Sequence, residues 1–318
     1  MGRYILRRFW QMLVLLLIVS LIVFFLFSLL PGNFLDGDPY LTATRRAALE
    51  KLYGFDQPTI KRYFIWMAGV LRGDFGDSLQ YRMPVMQLLG QYIWNSFFLA
   101  LTASLLAWSV AILVGIYSAV RQYSLFDRTV TLLVFAAMSL PSFFIGLLLV
   151  KVFAVDLKVL PVGGMISSGG KVGGLVWLGD VLRHMVLPVA VLTLISVGSL
   201  TRYFRTGMLD VIRQDYIRTA RAKGLRERTV IFRHALKNAL LPAITLLGFK
   251  LPGLFSGAII TEQIFSWPGV GRIQLESLGQ RDYPVLMAFT MILSALTILG
   301  NFLADVTYSL VDPRIRIR

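Results

Sequence analysis

The densest run of charged side chains lies at 200–242, LTRYFRTGMLDVIRQDYIRTARAKGLRERTVIFRHALKNALLP. Arg202, Arg205, Arg213, Arg218, Arg221, Lys223, Arg226, Arg228, Arg233 and Lys237 stand there against only Asp210, Asp215 and Glu227. A cluster of cations is binding chemistry, not bond-making chemistry. Such a segment fits a cleft on a partner or rests on anionic lipid head groups.

Its spacing is helical. Asp215 is placed to cap a helix start, and Ile217, Ala220 and Gly224 follow on one face. Gly224 suits a left-handed stop, after which 225–238 offers a second helical stretch. Two short helices at an angle make a knob.

Groups that carry catalysis are sparse. No stretch reads G-x-x-x-x-G-K-[ST], so no phosphate-cradling loop is expected, and no H-E-x-x-H zinc site exists. The two His residues, His184 and His234, fall on opposite sides of the membrane layout derived below, and there is no Cys. ESLGQ at 276–280 has a faint likeness to an ATPase signature and is read as coincidence. These absences argue against an intramembrane enzyme.

A gated path is the remaining chemistry. Lys250 sits inside an apolar run, where an ammonium needs water or a partner; it faces a cavity, pairs with a carbonyl near Pro252, or snorkels. Gly253 and Gly257 permit close helix contact. Pro141 and Pro188 interrupt apolar runs as kinks or as hinges. Trp267, before Pro268 and Gly269, is either a rigid turn with an interfacial ring or a cap on a path mouth, with Glu262 beside it.

Long apolar helices must position all of these. Of 318 residues, 56% are hydrophobic and 15% charged, against about 45–50% and about 25% in soluble domains, which marks an integral membrane protein. Six spans are expected, at 9–30, 96–120, 130–154, 185–199, 239–261 and 284–306. The run after Arg7 and Arg8 is too long for a cleaved signal. A polar stretch at 31–95 reads as a small lateral subdomain with a helical patch at 43–53, and a Gly-rich loop covers 155–184. The division is therefore 1–30 (tail and first span), 31–95 (subdomain) and 96–318 (core with the cationic loop 200–238).

Six spans place both termini on one side. That side carries eighteen basic residues against six acids, the other twelve against eleven. Lys and Arg are retained in the cytoplasm, so both ends are expected there. This distribution also accounts for the net charge of +15 without invoking nucleic acid.

Several stretches together resemble the first ("B"-type) permease of bacterial ABC importers of the dipeptide/oligopeptide/nickel family. They are MGRYILRR at 1–8, GDFGDS at 73–78 with Pro84-Val85, DYIRTARAKGL at 215–225, HALKNALLP at 234–242, TEQIFSWPGVGR at 261–272, RDYP at 281–284 and VDPRIR at 311–316. The resemblance covers essentially the whole chain in family order. It implies an all-α type I importer permease in the bacterial inner membrane, with 31–95 outside the cytoplasm. It further implies a second homologous permease, two ABC ATPase subunits that hold ATP and Mg, and an extracytoplasmic substrate-binding protein. No cofactor on this chain is implied.

The same resemblance assigns coupling to the ATPase to Asp215, Tyr216, Arg218, Thr219, Ala220, Arg221, Ala222, Lys223 and Gly224. Arg218-Thr219-Ala220 stand where the broader importer pattern has Glu-Ala-Ala, and Leu236-Lys237 where it has Leu-Pro. Lys250, Glu262, Trp267 and Pro141 are its path or gate residues. Peptides are the implied cargo, with nickel chelates, glutathione or oligosaccharides moved by similar permeases. The competing class, a stand-alone channel or ion-driven carrier, would normally show an acid within its spans; Asp305 lies at a span end.

Overall fold

Helix length and apolar face decide where this chain can be stable in lipid, because every backbone polar group there must be satisfied internally. The structure, a computed structural model, describes residues 2–30, 42, 44, 48, 51, 57–167, 169, 173–240, 250 and 252–311. The helices are α1 (Gly2–Leu29), α2 (Thr59–Val70), α3 (Val85–Val120), α4 (Leu125–Ser139), α5 (Ser142–Leu149), α6 (Gly174–Ile212), α7 (Asp215–Ala222), α8 (Ile259–Ile264), α9 (Val270–Gly279) and α10 (Tyr283–Val311). Shorter helical pieces connect some of them.

Among the described residues, Ile5–Leu29, Val85–Val120, Gly174–Ile212 and Tyr283–Phe302 are long and apolar enough to cross a membrane. A fifth span exists if Leu125–Ser139 and Ser142–Asp156 count as one. Residues 241–249 of the span expected at 239–261 lie outside the described residues, as do most of the patch at 43–53 and the VDPRIR ending after Val311.

Three boundaries differ from the sequence expectation. The second span reaches back to Val85, and the fourth runs from Gly174 to Ile212, taking in the end of the Gly-rich loop and also Arg202 and Arg205. The third is broken. Leu140 is extended (φ −88°, ψ 133°) because a residue before proline is pushed out of the helical region, and the axes on either side of Pro141 differ by 100°. Pro188, by contrast, lies within continuous α6.

The chain divides into two compact units. In the first (1–96, 248–259 and 269–318), α1 packs along α10. Val23 and Phe24 of α1, Tyr63 of α2, and Met287 and Met291 of α10 share one buried cluster. Ser20 donates to the carbonyl of Leu17 and meets the Tyr63 hydroxyl at 3.0 Å. A second cluster joins Val85, Leu88 and Leu89 to Val270 and Ile273 of α9 and to Val285 and Phe289 of α10.

In the other unit (97–247 and 260–268), α3 and α6 touch backbone to backbone. A Cβ on Gly115 would lie 2.9 Å from Phe204 Cβ and 3.0 Å from the Thr201 carbonyl oxygen, so only glycine allows this approach. After α5 the chain passes into a π-helical segment, Val150–Asp156, where the five-residue spacing brings Lys151 Nζ to 2.6 Å from Asp156 Oδ2.

Candidate functional site

The cationic knob is built on a small apolar foot. Ile217 and Ala220 face inward, packed with Ile116, Ala119, Met208, Val230, Ile231, Ala235 and Ala239. Burying a side chain such as Ile217 is worth about 1.5–3 kcal/mol, which is what holds so short a helix in place. Asp215, Tyr216, Arg218, Thr219, Arg221, Ala222, Lys223 and Gly224 are exposed. Of the nine residues expected to meet a partner, Ala220 alone is turned into the interior.

The ends of α7 follow backbone chemistry. Asp215 is its first helical residue rather than its cap: Gln214 holds that position without a side-chain hydrogen bond. The Asp215 carboxylate lies 3.3 Å from Arg218 Nη1 and favours the positive end of the helix dipole. At the other end Gly224 has φ +75°. Its N–H donates to the Arg221 carbonyl, and the Leu225 N–H to that of Ala220, closing a Schellman motif.

Across that stop Arg221 grips Glu227 with two prongs, Nη2 to Oε1 at 2.7 Å and Nε to Oε2 at 3.2 Å. These bonds hold the Glu227 carboxyl below its usual range and raise the Arg221 guanidinium. The expected second helix is a composite: Glu227–Thr229 is α-helical, Val230–Ala235 is a π turn, and Leu236–Ala239 is α-helical again.

Behind the knob sits a buried charge that sequence reasoning missed. Asp127, in the first turn of α4, accepts from Arg205 Nε at 2.7 Å and Nη2 at 2.8 Å. It also accepts the Ser118 hydroxyl of α3 and the Tyr123 N–H at 2.9 Å, while its own N–H is capped by Ser124 at 3.2 Å. The α3–α4 corner is thereby pinned to α6, whose C-terminal end leads into α7. A lone acid in the short RQYSLFDR segment was the available signal.

The expected path residues are placed as follows. Pro141 is the break between α4 and α5. Glu262 on α8 is fully buried and engaged within the chain. Its carbonyl accepts the Trp267 N–H at 2.8 Å. The Trp267 ring lies in a core of Leu99, Ala103, Val181, Met185 and Val189, so it is a packed anchor rather than an interfacial ring. Lys250 is helical and exposed.

The Gly-rich loop is tied to the turn between α8 and α9. Gly164 N–H donates to the Phe265 carbonyl at 2.7 Å, and Ser167 binds Asp180 through its N–H (2.7 Å) and hydroxyl (2.8 Å).

Two of the short motifs also converge. Asp282, from RDYP, is fully buried and accepts Ser78 Oγ (2.6 Å), at the end of GDFGDS, and the N–H groups of Gln80 (3.1 Å) and Leu79 (3.3 Å) just after it. Glu276, from ESLGQ, has a structural job: it accepts Tyr81 Oη at 2.6 Å and Arg272 Nε at 2.8 Å.

The chain is similar to known proteins in sequence and in fold. The family model "Binding-protein-dependent transport system inner membrane component" matches residues 111–317, and "Binding-prot-dependent transport system membrane comp, N-term" matches residues 1–89. The oligopeptide transport system permease protein AppB of Bacillus subtilis (strain 168) is 39% identical over 318 residues, covering 99% of each chain. The dipeptide transport system permease protein DppB of Escherichia coli (strain K12) is 35% identical over 339 residues, again covering 99% of each. In fold, the chain is similar to the inward-facing MetNI methionine ABC transporter, with a TM-score of 0.52 at 17% identity over 71% of this chain and 97% of that one. With matches that together run nearly from end to end, this chain belongs to the family of inner membrane components of binding-protein-dependent transport systems.

Proposed function

We propose that this chain is the non-catalytic permease subunit of an ATP-driven importer of di- and oligopeptides, forming half of the translocation path. The observation that carries the reading is the exposed cationic face of α7, held on the buried Ile217 and Ala220 and ended by Gly224. A firm, protruding helix with no nucleotide motif of its own transmits force from a motor on another chain. Peptide cargo follows from the relatives that bear oligopeptide and dipeptide permease names over their whole length.

In this reading both termini and the knob are cytoplasmic, consistent with the charge asymmetry of the chain. Two ATPase subunits, carrying ATP and Mg, clamp α7 and its counterpart on a second permease. Their closure and opening rock the spans between outward-open and inward-open states. A binding protein delivers cargo on the opposite face, against 155–184 and 262–283, and Glu262, Trp267, Pro141 and Lys250 belong to the path or its gate.

Gly224→Trp tests the reading. A Cβ there meets nothing within 4 Å, so the bulk points outward, and the positive φ costs about 1–2 kcal/mol. The expected result is a membrane-inserted chain that no longer copurifies with an ATPase or supports peptide uptake. Uptake by the purified chain alone, indifferent to this change, would instead indicate a channel. Identifying the ligand on a copurifying binding protein decides the cargo.

A further inference from the structure

A cavity of about 510 Å³ opens beside the C-terminal end of α1, lined wholly by residues of the first compact unit. Two ring pairs line it, Phe24 with Trp66 (centroids 5.5 Å apart) and Phe27 with Tyr283 (5.8 Å). Gln57 lines it too, and its buried Oε1 receives no hydrogen bond. Lys51 and Asp77 are exposed lining residues, one charge of each sign. We infer that this cavity binds a short peptide with free termini and an aromatic side chain.

The lining selects that class group by group. The rings take an apolar side chain, and they favour another ring through offset or edge-to-face contact. Gln57 Oε1 calls for a donor, because a buried acceptor left without one is costly, and a peptide bond brings an N–H. Lys51 suits a terminal carboxylate and Asp77 a terminal ammonium. A hydrocarbon chain leaves Gln57 unsatisfied, and an ion of either sign meets one repelling group. Arg62 also lines the cavity but is already engaged within the chain.

The walls are preformed. The stretch that carries Asp77 is held on one side by the Gly76 N–H, which donates to Asp74 Oδ1 at 2.9 Å, and on the other by the bonds from Ser78, Leu79 and Gln80 to Asp282. Tyr63 ties α2, the helix of Trp66, to Ser20 of α1. The volume lies within the roughly 300–1,000 Å³ of pockets that hold small molecules. In the import reading this end of α1 faces the side on which cargo arrives. The choice of a peptide rests on that reading; the cavity and its unpartnered acceptor do not.

The test is equilibrium dialysis of radiolabelled alanyl-phenylalanine against the full-length chain alone in nanodiscs, without ATPase or nucleotide. Wild type is expected to bind it saturably, and to hold alanyl-alanine about tenfold more weakly. Gln57→Met keeps the length of the side chain and removes the acceptor; it should weaken binding about tenfold. Asp77→Asn should weaken it about threefold and leave binding of the N-acetylated dipeptide unchanged. Arg128→Gln, which removes an exposed cation elsewhere, should alter neither.

Asp77 is exposed, so its variant keeps the test open should Gln57→Met fail to fold. No binding by wild type overturns the site, as does binding that both cavity variants leave intact or that Arg128→Gln weakens equally. Failed uptake by the whole transporter with this binding intact overturns the import reading alone. Normal uptake with no binding to the isolated chain overturns the site alone.

Discussion

Asp127 and Arg205, 78 residues apart in sequence, meet in a two-pronged ion pair whose carboxylate is 4% exposed and whose guanidinium is 25% exposed. The pair joins the corner between α3 and α4 to the shaft that ends in the cationic knob. It adds a charged tie to the apolar contacts that α3 already makes with α7 through Ile116 and Ala119. Asp127→Asn keeps the shape and removes the charge. Stranding a buried partner costs roughly 3–5 kcal/mol, and the exposed quarter of Arg205 favours the lower figure. The thermal midpoint of the purified chain should fall markedly, whereas Ser118→Ala, which removes one hydrogen bond, should cost about 1 kcal/mol. Equal midpoints for wild type and Asp127→Asn would dismiss the joint.

Asp282 organises the 78–81 turn from across the first compact unit. Asp282→Ala strips that turn of a charged acceptor for three donors, each bond to a charged group being worth about 1.5–3 kcal/mol. Limited proteolysis should then cut near Ser78 in the variant and not in wild type. Equal protection would show that the turn is held by other contacts.

The Glu276 carboxyl supplies a pH dependence. Burial pushes it up, but the hydrogen bonds from Tyr81 and Arg272 outweigh burial and hold it below its usual value. A depressed folded-state value stabilises above the unfolded value of about 4.3 and is lost as pH falls through the folded one. Tyr81, pushed up mainly by burial and then by Glu276, stays neutral as donor throughout that range. Glu276→Gln should lower stability at pH 7, where the ionised carboxylate contributes, and the difference should shrink as pH falls below about 4.3, so the variant has the flatter acid side. Identical acid limbs for the two proteins would contradict this.

The foot of the knob predicts a contrast between adjacent residues. Ile217→Ala should destabilise by about 2–5 kcal/mol, because Ile217 is fully buried among well-packed neighbours. Arg218→Ala, on the exposed side, should change stability by no more than about 0.5 kcal/mol. Denaturation monitored in detergent separates the two.

Local signals were legible in the sequence: the long apolar runs, the helical cationic segment, and a left-handed stop at Gly224. What was not legible is set by distance or by competition. Hydropathy marks where a helix is apolar, not where it ends, so the continuation of α6 through Arg202 and Arg205 to Ile212 was assigned to a loop. Pro141 and Pro188 looked alike, yet one breaks its run by 100° and the other sits inside a continuous helix. Asp127 with Arg205, and Ser78 with Asp282, were each visible as single charged or polar residues; only the folded chain pairs them.

The central claim is that the exposed face of α7 is the surface a separate motor grips. The absence of native cysteine allows single-site cross-linking in membranes that contain the whole transporter. Ala222→Cys, on the exposed face, should cross-link to an ATPase subunit in a nucleotide-dependent way, and Ala220→Cys, 7% exposed beneath it, should not. Labelling of Ala222→Cys from outside intact cells, or the lack of any ATPase adduct from it, would contradict the account.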